Sequence, residues 1–368
     1  MSLSVLIAGG GTGGHLYPGI AVARALLEQA PDTQVAFVGT AAGIEARVIP
    51  REGFALELIR AAGLKGKSIK ALVRGMTMLP LGGLDAWYVI SRRRPSMVVG
   101  VGGYSSGPVV MLAALRGIPT LLMEQNVVPG LTNRLLAPVV DAAAVTYEES
   151  VRFFGKKAFV SGNPVRPEFL HQSRISGASN ASEDQPSGSD AVRLLVFGGS
   201  QGAHAINVAM VGAATRLAAS SPQLRITHQT GERDLEMVRE GYKRAGLDAR
   251  VEAFLYEMDR EMKAADLVVS RAGATTLAEL AASGKASILV PLPTATDDHQ
   301  RRNAEALVQQ GAAVMVVERE FTGDRVANEI LELARDPRRR SEIGTAARSL
   351  ARPDAARVIA EKVVSLAR

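Results

Sequence analysis

Two stretches of this chain repeat one pattern: an apolar strand, a glycine-rich turn, then the start of a helix. Val5-Leu6-Ile7-Ala8 runs into Gly9-Gly10-Gly11-Thr12-Gly13-Gly14-His15, and Leu194-Leu195-Val196-Phe197 runs into Gly198-Gly199-Ser200-Gln201-Gly202-Ala203-His204. A short, wholly apolar run reads as a strand covered on both faces, and joining it to a parallel neighbour requires a crossover, usually a helix. Further apolar runs at 34–38, 96–101, 120–123 and 142–145, then at 225–229, 267–270, 287–290 and 313–317, alternate with helical periodicity. The pattern predicts an α/β chain whose parallel sheets carry helices on both faces. Any two doubly wound domains would share such a repeat, so the repeat alone does not name a family.

At 368 residues the chain exceeds what one core usually organises, which favours two domains. Residues 172–190 (QSRISGASNASEDQPSGSD) hold almost no apolar side chains, too few to offset the entropy of ordering them, and read as a flexible linker or surface excursion. The expected division is a first domain over 1–168, a linker over 169–191 and a second domain over 192–351. The absence of cysteine excludes a disulfide scaffold, a thiolate metal site and a cysteine nucleophile. The five histidines are scattered without metal-ligand spacing, so no metal site is expected. No run of about 18 apolar residues occurs, and Met1-Ser2-Leu3 provides no basic leader, so the chain is expected to stay in the cytoplasm. A net charge of +6 points to anionic partners: phosphates, nucleic acid or an acidic membrane surface. Nucleic acid is the weakest of these, because the chain is aromatic-poor and carries no nucleic-acid-binding motif.

In open α/β sheets ligands collect at the carboxyl ends of strands. Gly9, Gly11 and Gly14 have the spacing of a dinucleotide fingerprint, but the next strand ends Val38-Gly39-Thr40, without the acidic residue that would hold a ribose diol. An NAD-dependent oxidoreductase is therefore disfavoured, and a helix start able to hold phosphate remains. A second such start is Arg271-Ala272-Gly273-Ala274-Thr275-Thr276-Leu277-Ala278-Glu279. Its amides suit a diphosphate, and Glu279 suits a ribose diol or, alternatively, simply stabilises its own helix. Asp297-Asp298-His299-Gln300 reads as a ligand loop or a solvated turn. His15 and Glu124 both follow strand ends, where an imidazole near a carboxylate can act as a general base; capping or core hydrogen bonding is the plainer alternative. The segment 65–94 places Leu72, Met76, Leu79, Leu84 and Trp87 between Lys65, Lys67, Lys70 and Arg74 on one side and Arg92-Arg93-Arg94 on the other. It reads either as a patch that dips into an anionic bilayer interface or as a buried helical hairpin with basic ends.

Taken in order, these motifs are far more specific than any one of them. Gly-Gly-Thr-Gly-Gly-His at 10–15 with Tyr17-Pro18-Gly19, Gly102-Gly103-Tyr104-Ser105-Ser106-Gly107-Pro108, Glu124-Gln125-Asn126, Gly162-Asn163-Pro164-Val165-Arg166, the 198–203 turn and the 271–279 segment together resemble the MurG family of bacterial N-acetylglucosaminyltransferases. The resemblance implies a GT-B fold: two Rossmann-like domains with parallel sheets facing across a cleft, and a last helix over 352–368 returning to the N-terminal domain. It implies an inverting hexosyltransferase that moves GlcNAc from UDP-GlcNAc to the MurNAc 4-hydroxyl of lipid I, giving lipid II for peptidoglycan synthesis. The implied donor-binding residues are Thr12, Gly13, Gly14, Asn126, Arg166, Ser200, Leu255, Ala274, Thr275, Thr276, Leu277, Ala278, Glu279 and Gln300. His15 is the first choice of base and Glu124 the second. The 72–87 patch becomes the membrane-facing surface, which favours the first reading of that segment, and the expected location is peripheral, on the cytoplasmic face of the inner membrane. No cofactor is required by the resemblance; stimulation by a divalent cation and partnership with other cell-wall synthesis proteins are left open. The competing classes are a UDP-GlcNAc epimerase of the same architecture and a non-catalytic membrane scaffold.

Overall fold

The computed structural model describes residues 3–61, 69–170, 191–199 and 201–367, without the side chains of 69–79. The expected linker over 172–190 and Ser200 lie outside the described residues. The chain divides into two compact units, Met1–Arg166 with Arg352–Arg368, and Pro167–Ala351.

The first unit is a seven-stranded parallel sheet. Its strands are β1 (Ser4–Gly9), β2 (Gln34–Gly39), β3 (Ala55–Leu58), β4 (Met97–Gly102), β5 (Thr120–Glu124), β6 (Ala142–Val145) and β7 (Ala158–Val160), in the order β3-β2-β1-β4-β5-β6-β7. The order runs outward from β1 in both directions, so the ligand-binding end lies where β1 and β4 diverge. Alternation assigns side chains to faces: Val5 and Ile7 enter one buried cluster with Leu16 and Ile20, while Leu6 and Ala8 enter another with Ala86, Val89 and Ile90. The crossovers are α1 (Gly13–Gln29), α2 (Glu45–Arg51), α3 (Ile69–Arg93), α4 (Ser106–Leu115), α5 (Leu131–Leu136) and α6 (Glu148–Phe154). The alternative of a hairpin within 65–94 is not what forms: α3 runs on through Pro80.

The second unit opens with the single turn α7 (Pro167–Leu170), whose Phe169 is buried and whose Glu168 carbonyl accepts from Lys263. A six-stranded parallel sheet follows, formed by β8 (Val192–Phe197), β9 (Leu224–Gln229), β10 (Ala249–Glu252), β11 (Leu267–Ser270), β12 (Ala286–Leu289) and β13 (Val314–Met315), in the order β10-β9-β8-β11-β12-β13. Its helices are α8 (His204–Ala218), α9 (Leu235–Ala245), α10 (Met258–Ala264), α11 (Ala274–Ser283), α12 (His299–Gln309), α13 (Gly323–Arg335) and α14 (Pro337–Ser349). The apolar run at 313–317 contributes only the two residues of β13. The edge strands β3, β7 and β10 were not visible as apolar runs, because an edge strand is short and keeps polar residues such as Glu57 and Arg250. The last helix, α15 (Ala355–Leu366), packs along α1 of the first unit and buries Ile359, Ala360 and Val363 there.

Candidate active site

In the first unit, side-chain contacts tie together the ends of β1, β4 and β5. Thr12 caps α1, and its hydroxyl lies 3.2 Å from His15 Nδ1. The His15 ring packs against the end of β4: a methyl group at Gly102 would fall 2.7 Å from its Cδ2, and Gly102 also holds a φ of +96° that suits glycine. The Gln125 side-chain amide donates to the Val101 carbonyl (3.1 Å), tying the loop after β5 to the same strand end. Arg166, from the loop after β7, stacks its guanidinium 5.2 Å above the Tyr17 ring, one turn into α1. The first-unit candidates Thr12, Gly13, Gly14, His15, Glu124, Asn126 and Arg166 thus all lie at the carboxyl edge of one sheet.

Glu124 requires a correction. Its buried carboxylate accepts four hydrogen bonds: from the Asn126 N–H and Nδ2 on Oε1 (both 3.0 Å), and from the Gly130 N–H (3.1 Å) and Asn133 Nδ2 (2.9 Å) on Oε2. Desolvation by burial raises its pKa, against the opposing pull of those donors. A group so enclosed shapes the 125–130 loop and orients Asn126; it has no acceptor edge open to an incoming hydroxyl.

In the second unit, β11 and β12 lie side by side, so the start of α11 and the loop leading into α12 are neighbours. Arg271 fastens them: its Nη1 donates to the carbonyls of Val290 (3.1 Å) and Pro291 (3.3 Å), and its Nη2 pairs with Glu318. Gly273 caps α11, which then presents Ala274, Thr275 and Thr276 at its amino end and buries Leu277 and Glu279. Gln300 sits in the first turn of α12 and accepts the Leu292 N–H through Oε1 (3.0 Å). Just before it, Asp297 and Asp298 both adopt φ 55°, a left-handed conformation rare for residues with a side chain. Leu255 is buried behind Phe254 and Tyr256, whose exposed rings meet edge-on at 4.9 Å. Among the described residues, no group of three or more His, Asp or Glu is placed to hold a metal ion.

A buried polar chain that sequence reasoning missed supports the turn after β8. Asn207 donates from Nδ2 to the Thr230 carbonyl and to Asp234 Oδ2 (both 2.9 Å), so its Oδ1 must accept from His228 Nε2–H (3.1 Å). His228 Nδ1 then accepts from the Tyr242 hydroxyl (2.7 Å), and Asp234 Oδ2 also takes the His204 Nδ1–H (2.9 Å). Burial lowers the His228 pKa to about 3, which keeps the ring neutral and this single tautomer in place. Gln229 adds a bond from Nε2 to the Gly199 carbonyl (2.8 Å).

Among the described side chains of α3, Leu84 is 64% exposed, Trp87 54% and Tyr88 63%, and Leu115 of the adjoining α4 is also exposed. Arginines fringe them. Arg116 stacks 4.7 Å from the Trp87 ring and Arg92 5.5 Å from Tyr88, while Arg60 grips Asp85 with two bonds (2.8 and 2.6 Å). Leu72, Met76 and Leu79 fall where side chains are not described. No described helix is long and apolar enough to cross a membrane.

The chain matches the glycosyltransferase family 28 N-terminal domain over residues 5–145 and the family 28 C-terminal domain over 193–359. It is 49% identical over 376 residues to the UDP-N-acetylglucosamine–N-acetylmuramyl-(pentapeptide) pyrophosphoryl-undecaprenol N-acetylglucosamine transferase of Pelobacter propionicus, covering 99% of each chain. The crystal structure of Acinetobacter baumannii MurG superposes with a TM-score of 0.79 at 28% identity, again over 99% of both chains. A UDP-GlcNAc 2-epimerase from Neisseria meningitidis, bound to UDP-GlcNAc, shares the fold alone, at 11% identity and a TM-score of 0.67 over 99% of this chain and 100% of that one. With two parallel-sheet units of the GT-B type and relatives this similar along the whole chain, the chain belongs to glycosyltransferase family 28 and, within it, to the MurG N-acetylglucosaminyltransferases.

Proposed function

We propose that the chain transfers GlcNAc from UDP-GlcNAc to the 4-hydroxyl of lipid I MurNAc, and that the second unit holds the donor while the first presents the acceptor. The observation that carries the donor assignment is the start of α11. Its first-turn amides and the hydroxyls of Thr275 and Thr276 suit a diphosphate, and Glu279 follows little more than one turn later, where a carboxylate can accept both hydroxyls of a ribose diol. The backbone of Leu255 suits the uracil edge. Gln300, held through Oε1, keeps its Nε2 donors for sugar hydroxyls.

The reaction is a single displacement. The acceptor oxygen forms a bond to the anomeric carbon from the face opposite the phosphate, the carbon–phosphate oxygen bond breaks, and UDP leaves with the electron pair. Negative charge growing on that diphosphate is met by the α11 amino end. The hydroxyl proton goes to Nε2 of His15, in the tautomer whose Nδ1–H donates to the Thr12 hydroxyl; the two atoms lie 3.2 Å apart. No resident cofactor is assigned to this chemistry, and comparing rates with and without a chelator tests whether a divalent cation contributes.

The arginine-fringed face of Leu84, Trp87 and Tyr88 is assigned to an anionic lipid surface, with the chain peripheral on the cytoplasmic leaflet where its acceptor lies. Incubation with UDP-GlcNAc and a short-chain lipid I analogue tests the whole reading. The expected product is the disaccharide, with one UDP released per transfer. An isomerised UDP-sugar without acceptor turnover would instead assign an epimerase, and no turnover at all a scaffold.

A further inference from the structure

Glu45 is a buried carboxylate that neither the motifs nor the reaction scheme accounts for. It opens α2 at 1% exposure, with its side chain directed under the turn between β1 and α1. Oε2 accepts the Gly11 N–H (2.8 Å), and Oε1 accepts both the N–H and the hydroxyl of Thr40 (2.9 and 3.0 Å), at the end of β2. Three glycines make room for it. A methyl group added at Gly10, Gly39 or Gly43 would fall 2.5, 2.3 or 2.2 Å from Glu45 atoms. A carboxylate is acceptor-only, so each of these donors is held in one direction.

We propose that Glu45 is a positioning residue for the transfer step: by clamping Gly11 to Thr40 it fixes the turn that carries Thr12 and His15. The inference rests on the reading of His15 as the base. The path is short. Gly11 precedes Thr12, whose hydroxyl meets His15 Nδ1, and Gly10 N–H reaches the Gly102 carbonyl (3.3 Å) beside the same imidazole. Glu45 touches neither reactant; it determines where the proton acceptor stands.

Glu45→Gln is a selective probe. An amide can keep an oxygen toward the two Thr40 donors, but it then turns an N–H₂ group against the Gly11 N–H, so the contact to the turn is lost. The expected result is kcat lowered by about tenfold, as for one lost charged hydrogen bond, with UDP affinity little changed and the thermal midpoint lowered. Thr40→Val, which removes one donor and leaves the Gly11 contact, is the milder companion and gives a smaller loss if Glu45→Gln fails to fold. The deciding measurement is a double-mutant cycle with His15→Gln. If Glu45 acts through His15, Glu45→Gln adds no further loss in the His15→Gln background. Additive losses, or an unchanged kcat in Glu45→Gln, overturn the proposal, whereas an unchanged kcat in His15→Gln alone overturns the reading of His15 as the base.

Discussion

Replacing Asn207 by leucine would test the polar chain beneath the second unit's glycine turn. The substitution keeps the heavy-atom count and branching of the side chain at a site 1% exposed, so much of its cost lies in the partners left behind. His228 Nε2–H and the Thr230 carbonyl, on residues 0% and 1% exposed, would lose the partner described above, while Asp234 keeps His204. Each buried group left unpaired costs about 1–3 kcal/mol, so Asn207→Leu should destabilise the protein by about 2–6 kcal/mol. Against a total stability of about 5–15 kcal/mol that is a large shift in a urea midpoint followed by circular dichroism. Because replacing both members of a hydrogen bond by apolar groups is far milder, combining Asn207→Leu with His228→Phe and Tyr242→Phe should recover part of the loss. A single substitution that leaves the midpoint unmoved, or a triple one no more stable than the single, would refute the argument that unpaired groups set the cost.

His228 also makes stability depend on pH. Its folded pKa is depressed to about 3 from an ordinary 6.5, so the unfolded chain binds a proton that the folded chain refuses. Its contribution is whole above about pH 6.5 and is lost as pH falls toward about 3, at up to about 1.4 kcal/mol per unit. His228→Phe should flatten that part of the urea-midpoint profile, and a slope identical to the parent's would count against it. Glu279→Ala should weaken UDP-GlcNAc binding by about 1–3 kcal/mol in titration calorimetry, as for lost charged hydrogen bonds; unchanged affinity would remove the ribose from that carboxylate. Trp87→Glu should lower cosedimentation with anionic vesicles about tenfold or more, since one large buried side chain is worth roughly 1.5–3 kcal/mol, and should spare turnover of a short-chain acceptor. Equal vesicle binding would reassign the face.

Legibility in the sequence followed the range of the interactions involved. Strands such as β1 and β4 announce themselves because both their faces are covered and every position is apolar or small. The turns at 9–15 and 198–204 are local too, since a glycine's freedom is a property of its own position. Glu45 meets Gly11 from 34 residues away, and Asn207 meets His228 across 21; nothing in the intervening composition marks either pair. Read alone, His228 is one more scattered histidine, and nothing singles out Glu45. The enclosure of Glu124 was not legible, because the amides of Asn126 and Asn133 become its partners only once the loop has closed.

The return of α15 to α1 has a bearing on synthesis. Residues 167–351 form one uninterrupted stretch, so on a ribosome the later unit can close before translation ends. The earlier unit must wait, holding the apolar flank of α1 open until Ile359, Ala360 and Val363 emerge to cover it. The half that is made first is therefore finished last, and a chaperone guarding the nascent chain would find its longest-lived exposed surface there.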